Sequence, residues 1–163
     1  MHVLIQPERG GDEPAITAVH AAAFGSAAEA RLVEALRAAA RLSISLVGEK
    51  DGRIVGHVAF SPVSVAGAND GLGLAPMAVL PAFQRQGIGR QLIAEGIAGA
   101  GFIVVLGEPA YYGRFGFGPA ADFGLSDEYG SGAAFQVLEL RPGAIPRGAG
   151  LVRYAPEFAM VTG

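Results

Sequence analysis

The sequence contains no cysteine and no tryptophan, only three histidines, and charged residues at 17% of its 163 positions. Without cysteine there is no disulfide framework, no thiolate nucleophile and no cysteine-ligated metal. His2 and His20 have no carboxylate or histidine at ligand spacing and read as structural, so no metal site is expected. No uninterrupted apolar run approaches the roughly 20 residues of a membrane span, and Met1–Pro7 lacks the basic start and long apolar core of a signal peptide. A soluble, unprocessed, cytoplasmic chain is the expectation. The formal net charge of −3 and pI of about 5.6 favour neither nucleic acid nor an anionic membrane as a partner.

What is present suits a well-packed globule. Hydrophobic residues make up 51% of the chain and the mean hydropathy is +0.38. The length fits a single domain over residues 1–163, with no internal repeat and no linker long enough to divide it. Val3–Gln6 reads as a strand stopped by Pro7, and Asp12 as the N-cap of a helix with Ile16, Val19, His20 and Ala23 on one face. Ser26 and Glu29 form a capping-box pattern for a second helix, with Leu32, Val33 and Leu36 inward and Glu29, Arg31, Glu34 and Arg37 toward water. Leu42–Val47 and Arg53–Val65, joined across Asp51-Gly52, are expected to pair as an antiparallel hairpin.

The chain is organised around Leu72–Gly101. An apolar strand, Leu74–Leu80, is stopped by Pro81, and Gln84-Arg85-Gln86-Gly87-Ile88-Gly89-Arg90 then opens an amphipathic helix that Gly99 and Gly101 end. A helix beginning in glycines has unpaired N–H groups at the positive end of its dipole and invites an anion. Arg85 and Arg90 beside those groups suit a pyrophosphate. The pattern is not a dinucleotide fingerprint, since no acidic residue ends the next strand, Phe102–Leu106, and it is not a P-loop, since no Gly-Lys-Ser/Thr occurs. Phe102–Leu106 is β-branched and continuously apolar, as a strand parallel to the one before the helix would be. Beyond it, Pro109 suits the start of a short helix, Phe115–Gly132 is glycine-rich and loosely patterned, and Ala134–Leu140 is a last clear strand.

With Val79-Leu80-Pro81 followed by Gln84-x-x-Gly87-x-Gly89, and Tyr112-Gly113-Arg114-Phe115-Gly116-Phe117 in register behind the next strand, the chain resembles the GNAT superfamily of acetyl-CoA-dependent N-acetyltransferases. The order β-α-α-β-β-β-α-β-α-β-β agrees with that fold over most of the chain. The resemblance implies an α/β (α+β) fold with a mixed central sheet of about six to seven strands flanked by helices. It implies acetyl-CoA as cosubstrate, with backbone groups of Met77, Ala78 and Val79 pairing with the pantetheine arm. The N–H groups of Arg85, Gln86, Gly87, Ile88, Gly89 and Arg90 would hold the pyrophosphate.

The reaction so implied is attack of a primary amine, on a small molecule or a protein, on the thioester, with no cysteine to carry a covalent intermediate. Tyr112 is the candidate general acid for the departing thiolate, weighed against a role packing under the cofactor. His57 is a candidate base, although a lone histidine on an apolar strand face is more often structural, and Glu108 is the other candidate. Many members of the family carry an asparagine near Glu108, and an ionised glutamate cannot donate as an asparagine does. Acceptor contacts are expected from Pro14–Ala40, Val63–Gly71 and Asp122–Gly132. The alternative is a non-catalytic acyl-CoA-binding module. The apolar C-terminal segments suit either completion of the sheet or a homodimer face.

Overall fold

The computed structural model describes residues 2–65, 70–146 and 150–159. Contacts divide the chain into two compact units, one comprising Met1–Phe60, Ala75–Ala98 and Glu157–Gly163, the other Ser61–Leu74 and Gly99–Pro156. Strands β1 (Leu4–Pro7), β2 (Ile44–Lys50), β3 (Arg53–Pro62), β4 (Gly71–Val79), β5 (Phe102–Leu106), β6 (Gly118–Pro119) and β8 (Phe135–Glu139) form a seven-stranded mixed sheet in the order β1-β2-β3-β4-β5-β8-β6. Strands β7 (Leu125–Asp127) and β9 (Gly150–Val152) pair separately and in parallel.

In the first unit, β2 and β3 form the expected antiparallel hairpin, with Ile44 opposite Phe60 and Val47 opposite His57. Asp51 (φ 53°) and Gly52 (φ 77°) are both left-handed, the conformation a two-residue hairpin turn needs to match strand twist. Side chains alternate across the sheet. The glycine pair Gly48–Gly56 faces α3 (Ile88–Gly96), where a Cβ on Gly56 would lie 3.1 Å from both Ile88 and Leu92. The Val47–His57 pair faces the other way, and Val47 packs with Ile16 of α1 (Glu13–Phe24) and Val33 of α2 (Ala28–Ala38).

Two helix starts differ in detail from the sequence reading. Asp12 is the N-cap of α1, but its carboxylate accepts from the Arg9 N–H (2.8 Å) instead of a helix N–H. Helix α2 is capped by Ala27, one residue after the expected Ser26, with no side-chain capping bond. The Ser26 hydroxyl donates to Glu29 (3.2 Å) and accepts from the Ala28 N–H (3.4 Å). Helix α3 begins at Ile88 and ends at Gly96 with Ile97 as C-cap, before the glycines expected to stop it. Gly96 is needed inside the helix, since a Cβ there would lie 2.1 Å from the Phe60 ring.

In the second unit, β4 and β5 are parallel as expected, pairing Gly71–Gly73 with Phe102–Val104. The ladder with β5 ends there, while β4 continues to Val79. Phe102, Ile103 and Val104 are fully buried, and β5 is flanked on its other side by antiparallel β8. Helix α4 (Pro109–Tyr112) follows β5 directly. The glycine-rich region resolves into β6, a 3-10 turn at Ala120–Phe123 and β7. The turn residues 67–69 and the terminal Met160-Val161 lie outside the described residues. Among the described residues no helix is long and apolar enough to cross a membrane.

Candidate active site

The end of β4 and the start of α3 meet, within the first unit, in the loop that the sequence suggests for an anion. Leu80 donates to the Val55 carbonyl (2.8 Å), and Pro81–Phe83 make one 3-10 turn closed by the Phe83 N–H on the Leu80 carbonyl (2.8 Å). The Gln84 side chain then reaches back, its Nε2 donating to the Val79 carbonyl (3.0 Å), which pins the loop to the end of the strand. Arg85 (φ 65°) and Gly87 (φ 85°) are both left-handed, so the chain curls before entering the helix. Such alternation turns successive N–H groups toward one concavity, and those of Ile88, Gly89 and Arg90 lie in the first helical turn, where no earlier carbonyl accepts them.

Gly87 caps α3 with no side-chain hydrogen bond, so the helix start is left to a ligand or solvent. Ile88 is buried and anchors the helix, while Arg85, Gln86, Gly87 and Arg90 are exposed. The sequence reading missed the support that the hairpin tip gives to this loop. Lys50 donates to Gln86 Oε1 (3.0 Å), and Lys50 and Arg53 lie 5.4 and 5.7 Å from the centroid of the Phe83 ring.

Tyr112 and Glu108 belong to the second unit. The Tyr112 ring lies over Gly107, where a Cβ would fall 2.3 Å from Cε2, so a glycine is required for the tyrosine to sit there. Tyr111 (5.0 Å) and Phe117 (5.8 Å) meet that ring edge-on. Burial, with a smaller contribution from Tyr111, pushes the phenol up to about 12, so it is a protonated donor at neutral pH. Glu108 is the N-cap of α4 and accepts from the Ala110 N–H (3.4 Å), which gives the exposed carboxylate a structural task at the place where the sequence suggests a base. Behind it, Gln136 donates to the Gly107 carbonyl (3.1 Å) and fixes the end of β5.

His57 is fully buried on the first unit's α1–α2 side, with both ring nitrogens engaged. Its Nδ1 is 2.8 Å from His20 Nε2, and its Nε2 is 2.8 Å from Ser45 Oγ. Ser45 also bonds Glu8 Oε1, and Glu8 is clamped by Arg37 through Nε (3.1 Å) and Nη2 (2.9 Å). Arg37, expected to face water, is thus turned onto Glu8 and half-buried. His20 is equally buried, while His2 is exposed. Desolvation lowers His20 to about 4, and desolvation together with His20 and Arg37 holds His57 well below the ordinary histidine value, so both rings are neutral at pH 7. Among the described residues no group of three metal-ligating side chains comes together.

This arrangement can be set beside known proteins. A family profile described as Acetyltransferase (GNAT) domain matches residues 41–119. The uncharacterized N-acetyltransferase YhbS of Escherichia coli strain K12 is 42% identical over 164 residues, spanning 96% of this chain and 98% of the relative. The chain belongs to the GNAT acetyltransferase family. A crystal structure of the E. coli YhbS member in complex with CoA superposes with a TM-score of 0.93 at 41% identity, over 98% of this chain and 93% of that one. A GNAT acetyltransferase from Brucella melitensis in complex with acetyl-CoA gives 0.79 at 42% identity, over 96% and 98% of the two chains. The expected GNAT fold and the expected strand–helix–strand centre are both present in this member.

Proposed function

We propose that the protein transfers the acetyl group of acetyl-CoA to a primary amine by direct attack, residues 1–163 acting as one domain in the cytoplasm. The observation that carries this reading is the loop from Gln84 to Arg90. Its two left-handed residues and the uncapped start of α3 present N–H groups and two arginines to an anion of pyrophosphate size. The complexes of the YhbS and Brucella relatives with CoA and acetyl-CoA support the choice of that anion. Met77, Ala78 and Val79, at the end of β4 beyond its ladder with β5, would pair through their backbones with the pantetheine arm.

Tyr112 is assigned to the leaving group. A phenol at about 12 facing a thiol of ordinary value near 8.5 transfers its proton uphill by roughly 3 to 4 units, about 5 kcal/mol. It therefore works first as a hydrogen-bond donor to the sulfur and gives up the proton only as negative charge accumulates there.

Acetyl-CoA at about 100 times its dissociation constant should stabilise the protein by about 2.7 kcal/mol, read as a rise in melting temperature. Transfer to a panel of primary amines should follow, and Tyr112→Phe should lower kcat about 100-fold with acetyl-CoA affinity kept. Binding without transfer to any amine, with Tyr112→Phe indistinguishable from wild type, is the outcome expected of a non-catalytic acyl-CoA-binding module.

A further inference from the structure

In the second unit, Gly107 is the first residue beyond the β5–β8 ladder, whose last pair is Leu106 opposite Phe135. A glycine has no side chain to anchor it, and here β8 holds both of its backbone groups. The Gly107 N–H donates to the Ala134 carbonyl (3.0 Å), and the Gly107 carbonyl accepts from Gln136 Nε2 (3.1 Å). The same nitrogen donates to the Ala134 carbonyl at 3.5 Å, so one side-chain amide joins both partners of that pairing. Because both neighbours are carbonyls, the NH2 end of the amide must face them, and each of its two hydrogens has an acceptor.

Gln136 is buried between the apolar Phe135 and Val137, where an unbonded amide would be destabilising. The effect of its bonds reaches one peptide further. The Gly107 carbonyl and the Glu108 N–H share one planar unit, so a donor that fixes the carbonyl also fixes the direction in which Glu108 leaves the strand. The N–H groups of Tyr111 and Tyr112 both bond the Glu108 carbonyl, at 3.1 Å each. The Tyr112 ring in turn rests on Gly107, where a Cβ would fall 2.3 Å from Cε2. Backbone tether and ring seat of Tyr112 therefore both start from the peptide that Gln136 holds. Tyr111 and Phe117 meet the ring edge-on, and no hydrogen bond anchors the Tyr112 hydroxyl among the described residues. The seat, rather than a tether at the oxygen, sets where the phenol points.

We propose that Gln136 is a positioning residue for acetyl transfer, holding the Gly107–Glu108 peptide against β8 so that the Tyr112 hydroxyl is aimed at the leaving sulfur. The task of Tyr112 rests on the acetyltransferase reading; the arrangement of Gln136, Gly107 and Tyr112 does not. In the step concerned, the carbon–sulfur bond breaks with its electron pair on sulfur, and the phenol hydrogen goes to that sulfur. The proton released by the attacking amine restores the phenol. Gln136 itself touches no reacting atom.

The test compares wild type with variants at two neighbouring positions of β8. Gln136→Met keeps the length of the side chain and removes both donated hydrogens. On a reactive amine it should lower kcat about tenfold, with the KM for acetyl-CoA within twofold. Val137→Ala makes a cavity on the opposite face of the same strand, and should lower the melting temperature while leaving kcat within twofold. An equal loss of kcat in both variants would make the effect one of general stability and overturn the proposal. In a Tyr112→Phe background, Gln136→Met should change kcat less than twofold, because no hydroxyl is left to aim. A full tenfold loss in that background, or an unchanged kcat in Gln136→Met alone, would also overturn it. Should Gln136→Met fail to fold, Gln136→Glu replaces it. Its carboxyl donates to Gly107 while it keeps its proton, so its rate relative to wild type should rise as pH falls, and a ratio independent of pH counts against the proposal.

Carbon-13 relaxation of the Tyr112 ring reads the seat without turnover, and ring flips should be at least tenfold faster in Gln136→Met than in wild type or Val137→Ala. Equal flip rates in an enzyme that turns over remove the proposal and leave the acetyltransferase reading standing. Faster flips in a protein that acetylates no amine remove that reading, and with it the catalytic use of a clamp that is itself upheld.

Discussion

The loop Gln84–Arg90 and the buried chain from Glu8 to His20 both belong to the first unit, and they gather polar groups in opposite ways. The loop is exposed and built from backbone. Its donors come from consecutive residues, aimed by two left-handed conformations and held by the Gln84 side chain. The buried chain is built from side chains whose owners are 12 to 37 residues apart, and its order depends on which nitrogen carries a hydrogen. A backbone site should tolerate loss of side chains and suffer from an added Cβ at a left-handed position. A side-chain network should respond to pH and to truncation of any member.

The largest expected effect is on pH dependence. A histidine depressed to about 4 in the folded state binds a proton more readily when unfolded. Stability is therefore complete above about pH 6.5 and is lost as pH falls toward 4, by about 3 kcal/mol for His20 alone, with His57 adding in the same direction. Urea titrations between pH 7 and 5 should show the slope, and His20→Phe should flatten it. A flat profile in the wild type would mean that the two rings are not buried neutral.

Arg37→Ala comes next. It leaves the Glu8 carboxylate without its two charge-assisted hydrogen bonds and should cost about 2 kcal/mol in chemical denaturation. Gly87→Ala puts a Cβ at φ 85°, where the surroundings leave space but the backbone conformation is strained, at about 1 kcal/mol. Because the strain falls on the donors themselves, acetyl-CoA affinity by calorimetry should weaken about five- to tenfold. Gln84→Ala, the smallest effect, removes one hydrogen bond to Val79 and should weaken affinity about threefold at unchanged melting temperature. If Gln84→Ala instead harmed affinity more than Gly87→Ala, the backbone account of the loop would fail.

The same contrast governs what the sequence discloses. Pro81, Gln84, Gly87 and Gly89 act within a few residues of one another, so the strand end, the loop and the helix start are readable from spacing. The β2–β3 hairpin is readable from Asp51-Gly52 for the same reason. The partners of His57 are not, because pairing with His20 and Ser45 depends on three elements meeting in space. Arg37 falls on the outer side of the α2 pattern, yet its long side chain reaches Glu8, which periodicity does not encode. Strands of two or three residues such as β6, β7 and β9 carry no period to detect. Glu108 is visible as an acidic residue at a strand end, but its capping of α4 depends on a backbone turn that spacing alone does not reveal.

The two facing glycines of the hairpin, Gly48 and Gly56, act as a gauge. Ile88 and Leu92 of α3 rest where the missing side chains would be, with added Cβ atoms at 3.1 to 3.4 Å from them. The thickness of that gap sets how high the mouth of the helix stands above the sheet. A single methyl at Gly56 would therefore work as a shim, changing the height of the N–H groups of the Gln84–Arg90 loop relative to the end of β4 without altering any residue of the loop.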